Sequence, residues 1–417
     1  MRSHYKRIGD YVTLVKLKNS DGAISSLKGI NINKHFMPSV ANVNGTDLST
    51  YRVVKKNQFA FNPMHVGRDE VLPISMLEDD EPIIVSPAYV VFEVKDEEEL
   101  LPAYLMMWCR RSEFDRNAWF MTDNSVRGGF SWTDFCDMEL PVPSIEKQRE
   151  IVREYNVVND RIALNEQLTQ KLEDTAQAIY KQWFVDFEFP ISKEYAESIG
   201  KPELEGKPYK SSGGEMEYSE DLERDAPKAW GAIPIKSFTK EMKSGGTPKR
   251  DIEEYWNSKD VPWLKTGEVA NCVITDAEEY ISELGLKESS AKVYPKNTVL
   301  MAMYGDGKTK GQVGFLRVEA ATNQACCSMQ CKNVKDASFL YYYLRFNYQE
   351  IVRSAIGGAQ ENLSKGLIEN INILNVDKDL INRLPFDKFI DCSENYVKEN
   401  IVLKALREVI LQKVSKA

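Results

Sequence analysis

The chain has 417 residues and a net charge of −9. That length exceeds what one domain usually holds, so two or more compact units are expected. No run of about 18 or more apolar residues marks a membrane span, and seven scattered cysteines argue against a disulfide framework.

The first residues, Met1-Arg2-Ser3-His4-Tyr5-Lys6-Arg7, are basic but lead into no apolar signal segment, which points to a cytoplasmic chain. Residues 1–143 read as a first mixed segment, with strand-like runs at Ile83-Ile84-Val85 and Ala88-Tyr89-Val90-Val91-Phe92. Residues 144–189 read as a long helix. Ile151, Tyr155, Val158, Ile162, Asn165, Thr169, Leu172, Ala176, Ile179 and Trp183 alternate by four and three, which is heptad spacing. Ser144 is placed to cap its first turn.

Residues 190–228 are rich in Gly, Pro and Glu and read as a linker or loop. Residues 229–376 form a second mixed segment. Cys326, Cys327 and Cys331 cluster within it, but no His lies near them and zinc-ligand spacing is missing, so buried thiols in a strand are expected rather than a metal site. Residues 377–417 form a distal helix, in which Phe389, Tyr396, Leu403 and Ile410 recur every seven, with Leu406 and Val414 beside them. Core packing within each module is one role for these two helices. Pairing with each other as an antiparallel coiled coil, with the modules at opposite ends, accounts better for their length. Asn165 and Asn400 either fix the register of that pair or both face water.

The two mixed segments look like distant copies of one domain. Asn57-Gln58-Phe59-Ala60-Phe61 has a counterpart in Asn297-Thr298-Val299-Leu300-Met301, and Leu105-Met106-Met107-Trp108 in Tyr343-Leu344-Arg345-Phe346. Phe130-Ser131 followed by Met138-Glu139-Leu140-Pro141-Val142-Pro143 matches Leu363-Ser364 followed by Ile371-Asn372-Ile373-Leu374-Asn375-Val376. The acidic balance alone counts against nucleic-acid binding. Acid is concentrated, however, at Asp96-Glu97-Glu98-Glu99 and between residues 215 and 225, so a binding surface elsewhere can stay basic.

Motifs along the chain carry a resemblance. Ser244-Gly245-Gly246-Thr247-Pro248-Lys249 is followed by Tyr255-Trp256 and by Val261-Pro262-Trp263-Leu264-Lys265-Thr266-Gly267-Glu268. Met303-Tyr304-Gly305, Gly311-Gln312-Val313-Gly314 and Ala321-Thr322-Asn323-Gln324-Ala325-Cys326 come after them. The first module has Phe36-Met37-Pro38-Ser39-Val40-Ala41-Asn42 and Asn62-Pro63-Met64-His65-Val66-Gly67-Arg68, and the first long helix closes on Trp183-Phe184-Val185-Asp186-Phe187. In this order they resemble the specificity subunits of Type I restriction-modification systems. The resemblance implies an α+β fold with two target-recognition domains separated by long helices. It implies a non-catalytic, DNA-binding chain that reads a bipartite target and docks methyltransferase subunits, two of them, and restriction or motor subunits. S-adenosylmethionine, ATP and magnesium would then belong to those partners, with no cofactor in this chain.

The residue chemistry agrees with that. Gly245 and Gly246 let backbone approach a phosphate, Thr247 adds a hydroxyl, and Lys249, Arg250 and Lys265 add charge. Lys308 and Lys310, set among glycines beside Tyr304, form a basic loop. Asn323, Gln324, Gln360 and Asn362 suit base edges. In the first module Asn62, His65, Arg68, Asn124 and Arg127 are the comparable candidates, although that module lacks the Ser-Gly-Gly-Thr-Pro pattern. For each, the plain alternative is an ordinary polar loop residue.

Rival functions fit less well. Ala302-Met303-Tyr304-Gly305-Asp306-Gly307-Lys308-Thr309 matches a relaxed P-loop, but a P-loop opens a helix, and the residues after Thr309 alternate like a strand. A methyltransferase motif is not met by Asn62-Pro63-Met64-His65, and Glu93-Val94-Lys95 and Glu241-Met242-Lys243 match only the tail of a nuclease motif. A coiled-coil scaffold without DNA binding explains the helices and leaves the duplication and the glycine–lysine loops unexplained.

Overall fold

A computed structural model describes residues 5–39, 45–64, 70–122, 129–220, 222–228, 230–305, 309–356 and 362–415. The chain divides into two compact units, residues 1–163 with 401–417, and residues 164–400. Both cuts fall inside long helices, so each unit combines one mixed module with a stretch of each helix.

The first unit opens with β1 (Tyr5–Arg7), α1 (Ile8–Tyr11) and β2 (Val12–Leu14). Next come β3 (Lys28–Ile30), β4 (Phe36–Pro38), β5 (Arg52–Val54), β6 (Phe59–Phe61), β7 (Ile74–Met76), β8 (Ile83–Val85) and β9 (Val90–Val94). Then α2 (Pro102–Cys109), α3 (Ser112–Met121), α4 (Trp132–Asp137) and β10 (Glu139–Pro141) complete the module, and α5 (Ile145–Phe184) leaves it. The main sheet has the order β2-β9-β6-β7. Its centre is apolar on both faces: Phe59, Ala60 and Phe61 are all buried, which is why that strand reads as a continuous hydrophobic run. Phe59 sits opposite Phe92 and stacks on it with ring centroids 4.8 Å apart.

The second unit repeats this plan. After α6 (Lys193–Ser198), β11 (Met216–Ser219) and β12 (Arg224–Pro227) come β13 (Gly231–Pro234), α7 (Ile235–Phe238) and β14 (Glu241–Ser244). They lead to β15 (Val261–Leu264), β16 (Cys272–Ile274), β17 (Glu279–Ile281), α8 (Glu283–Lys287), β18 (Val299–Ala302), β19 (Val313–Leu316), β20 (Ala321–Thr322) and β21 (Cys326–Gln330). The helices α9 (Val334–Phe346), α10 (Tyr348–Ile356) and α11 (Lys365–Glu369), strand β22 (Asn372–Asn375), and α12 (Lys378–Arg383) and α13 (Phe386–Lys413) follow. The order β14-β21-β18-β19 matches β2-β9-β6-β7, with β16 added at one edge.

The correspondences hold in backbone detail. Asn57 and Asn297 both take left-handed φ, 64° and 67°, at the entry to β6 and β18. Asparagine tolerates that region better than most residues. Ser131 and Ser364 each cap the helix that follows, accepting from Asp134 N and Leu367 N. Each module is closed by its first and last strands, β1 on β10 and β13 on β22, both antiparallel.

Two sequence expectations need correction. Residues 190–228 are no bare linker: α6 and the β11–β12 hairpin are folded, and Ile191, Ala196 and Tyr209 form a small core with Phe189 and Tyr195 against it. The helix stripes are also not reserved for each other. Ile151, Tyr155, Val158 and Ile162 of α5, with Ile410 and Leu411 of α13 and Val414 just after it, belong to the core of the first unit, and Leu403 packs against it. Ala176, Tyr180 and Phe184, with Ile390, belong to the core of the second, where Ile179 and Trp183 pack against them. Leu172 and Tyr396 are half-buried, and Leu406, expected beside the stripe, is exposed.

Polar contacts between the helices occur in each unit. Lys413 is ion-paired with Glu154 at 2.5 Å in the first. In the second, Asn165 is fully buried and its Nδ2 donates to Asn400 Oδ1 at 2.9 Å and to Glu399 Oε2 at 3.0 Å. Of the two roles open for Asn165, the buried polar pair is the one observed. Ser144 caps α5, accepting from Lys147 N at 3.4 Å.

Candidate nucleic-acid interface

In the second module, backbone hydrogen bonds gather the sequence motifs into one rim. Gly246 N donates to Thr322 O, Asn323 N to Leu264 O, Met303 N to Ala325 O, and Leu363 N to Met303 O. The Gly245–Thr247, Asn323–Ala325, Met303–Gly305 and Asn362–Leu363 segments therefore adjoin. Tyr304, Lys249, Gln324 and Asn362 are exposed there. Lys310 lies in the turn before β19; Lys308 and Gln360 are outside the described residues.

The geometry revises several residue roles. A β-carbon on Gly245 would collide with the backbone of Thr322 and Asn323, and one on Gly246 with the backbone of Ser290 and Ala291. Internal packing alone thus requires both glycines, whatever else their backbone meets. Lys265 is ion-paired with Glu279 at 2.8 Å and Glu278 at 3.5 Å, so its charge is already matched. Asn323 Oδ1 accepts from Ala325 N at 3.1 Å and shapes its own turn. Thr247 Oγ1 donates to Gln324 Oε1 at 2.5 Å.

Two features escaped sequence reasoning. The Arg250 guanidinium lies over the rings of Trp256 and Trp263, 3.7 and 4.7 Å from their centroids, and is ion-paired with Glu279. Trp263 Nε1 donates to Gly246 O at 3.0 Å, tying this stack to the glycine turn. The close spacing of Arg250, Trp256 and Trp263 was the available signal. Lys265, and then Arg250, hold the Glu279 carboxyl below its ordinary range.

The first module assembles the corresponding loops. Phe130 N donates to Pro63 O at 2.9 Å, joining the segment after β6 to the segment before α4, as Leu363 and Met303 do in the second module. Asn62 Oδ1 accepts from Met64 N at 3.0 Å, an Asx turn. His65, Arg68, Asn124 and Arg127 lie outside the described residues. Sequence reasoning missed the end of α3, where Phe120 is 85% exposed between the partly exposed Trp119 and Met121.

Elsewhere in the first module, Lys34 is 4% exposed and takes φ 63°. Its Nζ contacts both Asp115 oxygens at 2.7 Å, bonds Cys109 O, and lies 5.0 Å from the Phe114 ring centre. Burial pulls the Lys34 ammonium down and pushes the Asp115 carboxyl up, each against the partner's opposing charge.

The described residues offer hydrogen-bond donors, acceptors and aromatic faces at both rims. Among them no group of three or more His, Cys, Asp or Glu is placed to hold a metal ion. Cys326 and Cys327 are buried in β21, where burial pushes both thiols up to about 12. The P-loop alternative fails on structure: Thr309 leads through a turn into strand β19, where a P-loop would open a helix. No helix among the described residues is long and apolar enough to cross a membrane.

Fold and rims define the class: an α+β module in two copies, each followed by a long helix. Residues 227–375 match the family model of the Type I restriction modification DNA specificity domain. The chain is 25% identical to the specificity subunit of Type I restriction enzyme MjaIX from Methanocaldococcus jannaschii, over 67% of this chain and 60% of that protein. It is 24% identical to the HindI specificity subunit from Haemophilus influenzae, over 90% of this chain and 89% of that one. The crystal structure of a Type I restriction-modification S subunit from M. genitalium superposes with a TM-score of 0.56 at 15% identity, covering 99% of this chain and 95% of the other. In sequence the chain is thus similar to the specificity subunits of Type I restriction enzymes, and residues 227–375 carry their DNA specificity domain.

Proposed function

We propose that this chain reads DNA for a Type I restriction-modification complex, with one half of a bipartite target recognised by each module. The duplication carries this reading: one fold, built twice, brings the same pair of loops together at the same place in each copy. Exposed Tyr304, Gln324, Asn362 and Lys249 in one rim give contacts to base edges and phosphate. Methyl transfer and cleavage belong to partner subunits, two methyltransferase subunits and a restriction or motor subunit, which bind S-adenosylmethionine, ATP and magnesium. Val402, Leu406 and Val409 on α13 stand at i, i+4 and i+7 and are exposed, which supports docking on that helix.

The test is a DNA-shift assay with and without a methyltransferase subunit, followed by sequencing of methylated sites. A bipartite, sequence-specific target is expected. Sequence-independent binding, or methyl transfer or ATP hydrolysis by this chain alone, contradicts the proposal.

A further inference from the structure

We propose that Gln324 is a base-reading side chain of the second module and that Thr247 positions it; the inference rests on the DNA-reading function above. Of the two adjacent amides in this turn, Asn323 is turned inward, its Oδ1 accepting from Ala325 N. Gln324 is exposed, and its Oε1 accepts from the Thr247 hydroxyl. Among the described residues its Nε2 has no partner. Thr247 in turn is held in place: Gly245 and Gly246 are wedged against backbone on one side, and Pro248 is buried on the other. In this arrangement the amide oxygen is the end that meets the hydroxyl, at 2.5 Å. The oxygen is turned in and the NH2 group is turned out.

An outward NH2 group is a donor, and it selects for acceptors. In the major groove guanine offers O6 and N7, adenine N7 and thymine O4, while cytosine offers only the N4 donor. The base that meets Gln324 is one of the first three and is not cytosine. Thr247 acts through Gln324 and is a positioning residue.

The experiment selects duplexes from a randomised library with the full chain, alone and together with a methyltransferase subunit. The wild-type chain is expected to deplete cytosine roughly tenfold at one position of one half-site. Gln324→Glu keeps an acceptor for the Thr247 hydroxyl but turns a second acceptor outward, so cytosine, with its N4 donor, should change from depleted to accepted at that position alone. Thr247→Val should flatten the preference there, and Thr247→Ser should retain it. A purely structural role for Thr247 predicts lower stability with the base preference intact. The assignment is overturned if Gln324→Glu leaves the preference unchanged or loosens every position together. A wild-type chain that enriches no sequence would overturn the DNA-reading function itself, which is a separate outcome.

Discussion

The two modules share a framework and differ at its rim. Both enter the central strand through a left-handed asparagine, both cap a short helix with serine, and both close by pairing first and last strands. Around that common frame, the first module buries a cation, Lys34, against Asp115. The second leaves Arg250 at the surface on two tryptophans. Framework positions answer to backbone conformation and core packing, which are the same in any copy of the fold. Rim positions answer to whatever the rim touches, and there the copies have diverged. Attachment to the long helices differs too. Beside apolar packing with Tyr155 and Ile162, the first module is held by the buried Gln148 amide, which accepts from Leu101 N and donates to Glu99 O, and by Arg149 on Glu98, whereas the second has Arg345 on Glu173 at 2.8 Å and Arg317 on Glu394 at 2.5 Å.

Breaking the buried pair should have the largest effect. Asp115→Ala leaves Lys34 enclosed without its countercharge and should cost about 3–5 kcal/mol in denaturant unfolding. A loss below about 1 kcal/mol would mean that the first module does not depend on the pair. On the helices, Ile162→Ala should cost about 2–4 kcal/mol through lost packing, and Glu173→Ala about 3 kcal/mol by stranding Arg345. Pairing Glu173→Leu with Arg345→Met should recover most of the second loss. No partner substitution of that kind should rescue the first.

The shared frame predicts matched responses. Asn57→Ala and Asn297→Ala should each cost about 1–2 kcal/mol, because alanine resists the left-handed region, and glycine at either site should be tolerated. Unequal costs would weaken the equivalence of the modules. The smallest effect concerns the rim of the second. Glu279 is held below its ordinary range, so its stabilising contribution is present at neutral pH and is lost as pH falls through its folded pKa. The stability difference between wild type and Glu279→Gln should therefore shrink on acidification; a constant difference would contradict the ion pairs.

The frame was legible in the sequence because its signals are local. Asn57 and Asn297 open apolar runs, Ser131 and Ser364 precede short helices, and heptad spacing marked α5. What was hidden depends on contacts distant in sequence. Lys34 meets Asp115 81 positions away, and no local pattern announces that. Residues 190–228 looked like a loop because their glycines, prolines and charges outnumber the few apolar residues that form the small core around Tyr209. At the rim, sequence named Thr247 and Gln324 but not their bond, and named Lys265 without Glu278 and Glu279, which match its charge.

Independent reading of each half of the target by its own module is the property most open to test. The most direct measurement is the methylation profile of a host that carries this chain with its methyltransferase partner, compared with one in which Gln324→Ala and Asn362→Ala alter the second rim. One half-site is expected to relax or weaken while the other keeps its sequence. Both halves changing together would contradict it.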